Sequence, residues 1–351
     1  MKIFKRISLL LLTAFFIQCT NKEESEYMPP GFSLKEERKI TVLNNDFIIG
    51  TGTLHVIDSF LIVVAETDIN KKQLHIFNKF NGKYLKSIGK SGQGPGELTI
   101  PVNRVTIDNR NKKIYIYDLG KSRLVSFDLN TLMEDKEIEG VEENFPETMQ
   151  SHLELAYLGN DEFLVAYPTK NRFRFIKGNK TDTVATYSSY PGLSEPREYK
   201  HIEESYFFYS SHITTSPDGK KLANATSAGC LLELFDISEN KIEHLYTKRF
   251  YEPDYYVTDK NEKFPYIRKD KCKVMGITVV KSTDKYIYAL LDESNGKGFP
   301  NIISVFDWKG KPVKQYVLDC RIFTFCIDEA AEKGYVLSMT EEDINLVQFD
   351  L

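Results

Sequence analysis

Short runs of alternating apolar and polar residues recur along the chain, and six of them end in a bulky apolar side chain followed by a polar turn. The runs are Leu74 to Asn78, Leu124 to Asp128, Phe173 to Lys177, Leu232 to Asp236, Ile303 to Asp307 and Leu346 to Asp350. They recur at intervals of about 43 to 71 residues, each with four strand-sized segments, as in repeats that bury their faces against one another. The pattern predicts an all-β fold, a six-bladed β-propeller with four-stranded antiparallel blades.

A large aromatic side chain occupies the same place in most of these runs. Phe77, Phe127, Phe235, Phe306 and Phe349 are each followed by Asp or Asn, whereas the third run reads Phe173, Arg174, Phe175, Ile176. Strands that are buried on both faces need bulky side chains at equivalent positions of every repeat. We therefore expect these rings to pack between neighbouring blades.

The last repeat shows only three strands before the chain reaches Leu351, which would leave an edge with unpaired backbone groups. The segment from Arg38 to Leu43 alternates like a strand and precedes the first blade. It is predicted to pair with Leu346 to Asp350 as the fourth strand of blade six and so to close the ring. In blade two, Glu137 to Ile138 is the predicted outer strand.

Four longer connections interrupt the repeats, at residues 89–103, 139–152, 188–212 and 250–275. In a propeller such segments join the outer strand of one blade to the inner strand of the next, so they share one face of the ring. Long loops on a rigid scaffold are where binding usually resides.

The N-terminus has the pattern of a secretory signal, since three basic residues precede an apolar run from Ile7 to Ile17 that is too short for a stable membrane span. The segment resembles a lipoprotein signal, in which Cys19 becomes the acylated first residue. The alternative is cleavage before another residue, with Cys19 incidental. The predicted organisation is a lipoprotein signal peptide at 1–18, a flexible tether at 19–37 and the propeller at 38–351.

One glycine-rich run follows the first blade, with the sequence Ser87-Ile88-Gly89-Lys90-Ser91-Gly92-Gln93-Gly94-Pro95-Gly96-Glu97-Leu98. Together with the leader and the repeats, it resembles the six-bladed β-propeller lipoproteins of Bacteroidota, relatives of the NHL and TolB-like propellers. The resemblance implies a cell-envelope protein without a defined reaction. Asn21, Lys22, Glu23 and Glu24 resemble the surface-export signal of such lipoproteins, which implies an outer-membrane protein exposed at the cell surface and held by its lipid anchor.

The net charge bears on the expected partners, and the cysteine count bears on the possible disulfides. Removal of residues 1–18 takes away three basic residues and changes the formal charge from −4 to −7, so nucleic acid is not an expected partner. Cys230, Cys272, Cys320 and Cys326 remain besides Cys19 and allow three pairings. If Cys320 and Cys326 share a strand, they lie too far apart to bond to each other.

The motifs of common cofactor sites are incomplete. Gly89-Lys90-Ser91 lacks the earlier glycine of a phosphate loop, because position 84 is Tyr84. The histidines lack metal-ligand spacing, and no Gly-x-Ser-x-Gly occurs. We expect a non-catalytic protein without a cofactor, in which the glycines turn the chain and Glu97 binds backbone amides.

An enzymatic alternative stays open. Some propellers hold Ca²⁺ in the central channel and use it to polarise a lactone or phosphoester. Asp58, Asp108, Asp118 and Glu97 have the oxygen ligands for such a hydrolase or lyase. Each of them, however, is at a turn or a strand end, where carboxylates are ordinarily solvated or capping.

Aromatic residues crowd two of the long connections. The candidate binding residues are Tyr206, Tyr209, His212, Tyr255, Tyr256 and Arg268. Tyr and Arg combine contact area with hydrogen-bonding groups, which suits a glycan or an outer-membrane protein partner. The alternative is that these rings pack the loops onto the propeller.

Overall fold

A computed structural model provides the architecture. It describes residues 31–46, 50–65, 71–99, 104–134, 136–143, 145, 154–166, 171–177, 183–187, 211–226, 231–238, 241–250, 255–256, 266–267, 276–292, 300–341 and 343–351. Within these ranges the regular structure is β-strand, and no helix there is long and apolar enough to cross a membrane.

The strands form six consecutive antiparallel sheets, here called blades 1 to 6. Two strands, β1 (Lys35–Arg38) and β2 (Thr41–Asn44), precede blade 1. Blade 1 has β3 (Gly52–Ile57), β4 (Phe60–Ala65), β5 (Lys72–Asn78) and β6 (Tyr84–Lys90); blade 2 has β7 (Val105–Asp108), β8 (Lys113–Asp118), β9 (Arg123–Asp128) and β10 (Val141–Glu143). Blade 3 has β11 (Glu154–Gly159), β12 (Glu162–Ala166), β13 (Phe173–Lys177) and β14 (Thr183–Tyr187); blade 4 has β15 (Ser211–Thr215), β16 (Lys221–Thr226), β17 (Leu231–Ser238) and β18 (Lys241–Arg249). After a short hairpin of β19 (Tyr255–Tyr256) and β20 (Tyr266–Ile267), blade 5 has β21 (Gly276–Ser282), β22 (Tyr286–Asp292), β23 (Ile302–Asp307) and β24 (Pro312–Leu318); blade 6 has β25 (Arg321–Asp328), β26 (Lys333–Met339) and β27 (Ile344–Asp350). The predicted six-bladed, four-stranded β-propeller is confirmed.

The hydrophobic core is divided among the blade interfaces. Each of six buried clusters joins two neighbouring blades, including blades 6 and 1, where Leu54 of β3 packs with Leu346 of β27. The first strand of each blade lies innermost, and β25 of blade 6 contacts β3 of blade 1. The blades therefore form a closed ring around a central axis.

The recurrent Phe side chains lie at these interfaces, as predicted. Phe77, Phe127, Phe235, Phe306 and Phe349 are at most 2% exposed, and each packs against the preceding blade. In blade 3 the equivalent position is Ile176, and the ring is supplied by its cross-strand partner Phe163. The aromatic group has moved to the adjacent strand of the same pair, which explains why the third run departs from the pattern.

The N-terminal segment joins blades 5 and 6 on the outside of the ring. β1 adds to blade 5 in parallel with β24, and β2 pairs with β27, where Thr41 lies opposite Gln348. The strand predicted from Arg38 to Leu43 is thus divided between two blades. β1 begins at Lys35, within the segment assigned to the tether.

Two elements differ from the sequence prediction. The outer strand of blade 2 is β10 and not Glu137 to Ile138. The carboxylate of Glu137 lies 3.4 Å from the amines of both Lys72 and Lys90 in blade 1, so this part of the chain is held against the preceding blade before it pairs with β9. The hairpin of β19 and β20 lies in a connection that was predicted as a loop.

Candidate functional site

The strand order defines two faces of the ring. The connection face carries the segments between the outermost strand of one blade and the innermost strand of the next, together with the turns between second and third strands. The turn face, opposite, carries the remaining turns, such as residues 58–59 and 308–311. The predicted loops at 188–212 and 250–275 leave from β14 and β18 and return to β15 and β21, so both begin and end at the connection face.

A histidine and a carboxylate lie next to each other where the inner strands of blades 3 and 4 begin. The Nδ1 atom of His212 is 3.4 Å from Oε1 of Glu154, and their side chains are 37% and 18% exposed. Both residues are at the start of their strands, on the connection face. The pair therefore offers solvent an imidazole and a carboxylate at the mouth of the central channel.

Lys281 lies near the axis of the ring, deeper than this pair. It belongs to blade 5, yet its charge acts on His55 of blade 1 and Cys326 of blade 6, and Glu154 of blade 3 acts on Lys281. A group that is close to residues of three other blades must project into the centre. Lys281 keeps partial solvent exposure at this depth, as expected for a channel wall.

Burial is the main cause of the pKa shifts of these inner groups. Desolvation lowers the pKa of Lys281, against the opposing effect of Cys326 and Glu154. Desolvation, and then the charge of Lys281, holds the pKa of His55 well below its ordinary value, so this imidazole is neutral at neutral pH. Its Nε2 atom is 3.0 Å from Oγ1 of Thr53. Burial also raises the pKa of the Cys326 thiol to about 12, which keeps it protonated.

A buried ion pair connects blades 3 and 4. The guanidinium of Arg172 donates two hydrogen bonds to the carboxylate of Glu233, of which Nη1 to Oε1 measures 2.9 Å, and both side chains are 2% exposed. Asn224 donates a further bond of 3.0 Å to the same carboxylate. Such a desolvated, bidentate pair fixes the relative position of two blades, so we assign it a structural role.

A groove of about 810 Å³ opens between blades 5 and 6. Ile40 and Val42 of the N-terminal segment form its outer side, and Leu318, Cys320 and Met339 lie deeper. Cys320 and Cys326 are both free thiols. Cys230 and Cys272 lie outside the described residues.

The predicted binding residues are only partly within the described structure. His212 is the second residue of β15 and faces Glu154. Tyr255 and Tyr256 form β19, opposite Ile267 and Tyr266 of β20, which brings them into one hairpin. Tyr206, Tyr209, Arg268 and the lipidation residue Cys19 lie outside the described residues. Lys281, Glu154 and His55 were not predicted as site residues, because each is one polar residue in an otherwise ordinary inner strand.

The glycine-rich run has the structural role that was predicted. Oε2 of Glu97 accepts a hydrogen bond of 2.7 Å from the amide of Gly94, and a Cβ atom at Gly92 or Gly94 would collide with this carboxylate. Gly96 has φ of +69° and packs against the backbone of Gly140. The run thus folds tightly around Glu97 between blades 1 and 2.

Three of the carboxylates considered as Ca²⁺ ligands are engaged in local contacts. Asp118 accepts a 3.1 Å hydrogen bond from the amide of Thr99, Asp108 caps the turn at residues 109–112, and Asp58 pairs with Lys112 at 2.7 Å. Within the described ranges, no three His, Cys, Asp or Glu side chains are grouped so as to hold a metal ion.

Comparison with known proteins agrees with this architecture. A family model described as TolB-like 6-blade propeller-like matches residues 31–330. A search of curated proteins found no match.

One solved structure with a TM-score above 0.5 shows similarity of fold. A protein from Bacteroides fragilis, described as exported, is 13% identical with a TM-score of 0.58, and the match covers 90% of this chain and 98% of that one. The β-propeller domain of Cps50 (Swd1) from Myceliophteria thermophila is 10% identical with a TM-score of 0.47, over 89% of this chain and 99% of that one.

Proposed function

We propose a binding function for this chain, which belongs to the family of TolB-like six-bladed propellers. In this proposal it is a non-catalytic cell-envelope lipoprotein whose connection face binds a glycan or an outer-membrane protein. The observation that carries the proposal is topological. The aromatic-rich connections begin and end on the connection face of blades 3 to 5, beside the exposed pair of Glu154 and His212.

The rigidity of the ring supports this assignment. Loops that depart from a closed, apolar-packed scaffold are held in place at both ends, which reduces the entropy lost when a ligand orders them. Tyr255 and Tyr256 are further constrained because they pair with β20. Tyrosines are common anchors in interfaces.

The path of the N-terminal segment supports an orientation of this face. The ring of Phe32 lies 5.2 Å from that of Phe306, close to the turn face, and from there β1 runs parallel to β24 towards the connection face. A lipid on Cys19 would be joined to Phe32 by a segment that spans at most about 45 Å. In this proposal the tether joins the ring beside the turn face, so the turn face is on average the nearer to the membrane and the connection face the farther from it.

Tyr255→Ala and Tyr256→Ala test the binding function. The anchor-free protein, without residues 1–30, would be screened for glycan binding on an array and by thermal shift. For a glycan that binds, each substitution should weaken the affinity by about tenfold or more, since an anchoring Tyr contributes more than about 1 kcal/mol.

The matched control is Tyr246→Ala, because Tyr246 belongs to β18 of the adjacent blade and packs against Gly310 at the blade interface. It should lower thermal stability and leave the affinity unchanged. Full affinity in both Tyr255 and Tyr256 variants would show that these rings only pack the loop.

A further inference from the structure

We propose that the central channel is a separate binding site for a small hydroxy acid, such as a sugar acid, whose carboxylate pairs with Lys281. This site goes beyond the connection-face binding proposed above, and its ligand class is argued from its own residues. It uses the inner strands and not the aromatic connections, so the two sites are tested independently.

The first argument is the unbalanced charge of Lys281. Among the residues that the structure describes, no acceptor lies within hydrogen-bonding distance of its Nζ atom and no carboxylate forms an ion pair with it. Other lysines deep in the fold have such partners, as Lys79 shows by its 2.6 Å contact with Asp328. An ammonium taken out of bulk water without a partner is costly, and a carboxylate ligand would supply the missing charge and acceptor.

The second argument is the position of the group. Its neighbours on blades 1, 3 and 6 place it near the axis, and as the sixth residue of β21 it lies towards the turn face. Partial exposure of the Lys281 side chain shows that solvent reaches it. A small solute that reaches this part of the channel would therefore contact the amine.

The third argument concerns the rest of the ligand. The Glu154 carboxylate would repel a second acid group and attract a hydrogen-bond donor. His55 and Thr53 on the inner strand of blade 1, whose side chains lie 3.0 Å apart, are neutral groups suited to hydroxyls. The combination of one cation, one anion and several neutral polar groups favours a molecule with one carboxylate and several hydroxyls.

The test uses three probes that separate these features. D-glucuronate has both the carboxylate and the hydroxyls, D-glucose has the hydroxyls alone, and acetate has the carboxylate alone. In calorimetric titrations of the anchor-free protein, D-glucuronate should bind, and the other two should bind at least about tenfold more weakly, because each lacks part of the recognised pattern.

Lys281→Met is the informative variant, since Met keeps the length of the side chain without its charge. It should weaken D-glucuronate binding by about tenfold or more and leave the melting temperature of the unliganded protein equal or higher, because a charge without an ion-pair partner is removed from a partly buried position. Lys285→Met, at an exposed position of the same blade, is the control and should change neither property.

Three outcomes would overturn the proposal. If D-glucuronate does not bind, or binds no better than glucose or acetate, the proposed ligand class is wrong. If the Lys281→Met protein binds D-glucuronate with undiminished affinity, the proposed site is wrong. A Lys281→Met protein that melts at a much lower temperature would give Lys281 a structural role instead. Tyr255→Ala should leave D-glucuronate affinity unchanged, which distinguishes failure of this site from failure of the connection-face site.

Discussion

Near the end of the third strand of a blade, a Phe is followed by Asp or Asn. The two residues have different structural roles. The ring is buried against the preceding blade, as at Phe306, whereas the next carboxylate or amide starts the turn. Oδ1 of Asp307 accepts a 2.9 Å bond from the amide of Lys309, and Oδ1 of Asn78 accepts one of the same length from Phe80. One dipeptide thus contributes to both a blade interface and a turn. Because most blades need both features, the dipeptide recurs and could be recognised in the sequence.

Phe127→Ala should lower the free energy of unfolding by about 3–5 kcal/mol, because the fully buried ring leaves a cavity between blades 1 and 2. Phe80→Ala is the matched control, since that ring is 68% exposed, and its effect should stay within about 0.5 kcal/mol. Denaturant melts compare the two. Equal midpoints for the variants would place Phe127 outside the core.

His75 should make stability depend on pH. Burial lowers its pKa from 6.5 to about 4, so between these values the unfolded chain binds a proton that the folded chain does not. The free energy of unfolding therefore falls as the pH drops through this window, by about 3 kcal/mol in all. His75→Gln should reduce this dependence in melts from pH 7 to pH 4 and leave the part that the likewise lowered pKa of His55 contributes, whereas His244→Gln, at an exposed position, should leave the dependence unchanged. An unchanged slope in His75→Gln would mean that this imidazole titrates normally.

At the scale of elements, the N-terminal segment acts as a strap across blades 5 and 6. Its backbone pairs with both blades, Nε of Arg38 donates a 2.9 Å bond to the carbonyl of Asp350, and Lys314 lies 3.4 Å from Glu36. The alternation of Ile40 and Val42 was enough to predict a strand. Its division into two strands was not predictable, because parallel pairing with β24 depends on the tertiary position of blade 5.

Three truncated chains measure the contribution of this strap. A chain that begins at residue 31 should be as stable as the full-length protein. One that begins at residue 39 should be less stable because it lacks Phe32 and β1, and one that begins at residue 45 should unfold or aggregate because it also exposes the edge of β27. Denaturant melts and light scattering provide the readout. Equal stability of all three chains would mean that the ring does not depend on the strap.

At the scale of the whole molecule, the sequence predicted the fold better than the site. Blade interfaces repeat, so each recurrence of apolar residues adds evidence for the same architecture. The channel residues His55, Glu154 and Lys281 do not repeat. They come from three blades and meet only because the ring closes, so no local motif marks them. Predicted contacts in the long connections could be located only where the structure describes them, at His212, Tyr255 and Tyr256.

In the proposed function, a lipid on Cys19 anchors the ring and the connection face is directed away from the membrane. The most direct test places a clickable fluorescent amino acid either at Lys309, on the turn face of blade 5, or at Glu341, on the connection face of blade 6. The lipidated protein is bound to vesicles that contain nitroxide-labelled lipid, with Cys19→Ser as the unanchored control. The account predicts strong quenching at Lys309, weak quenching at Glu341 and none in the Cys19→Ser protein. Stronger quenching at Glu341 than at Lys309, or vesicle binding that survives Cys19→Ser, would contradict it.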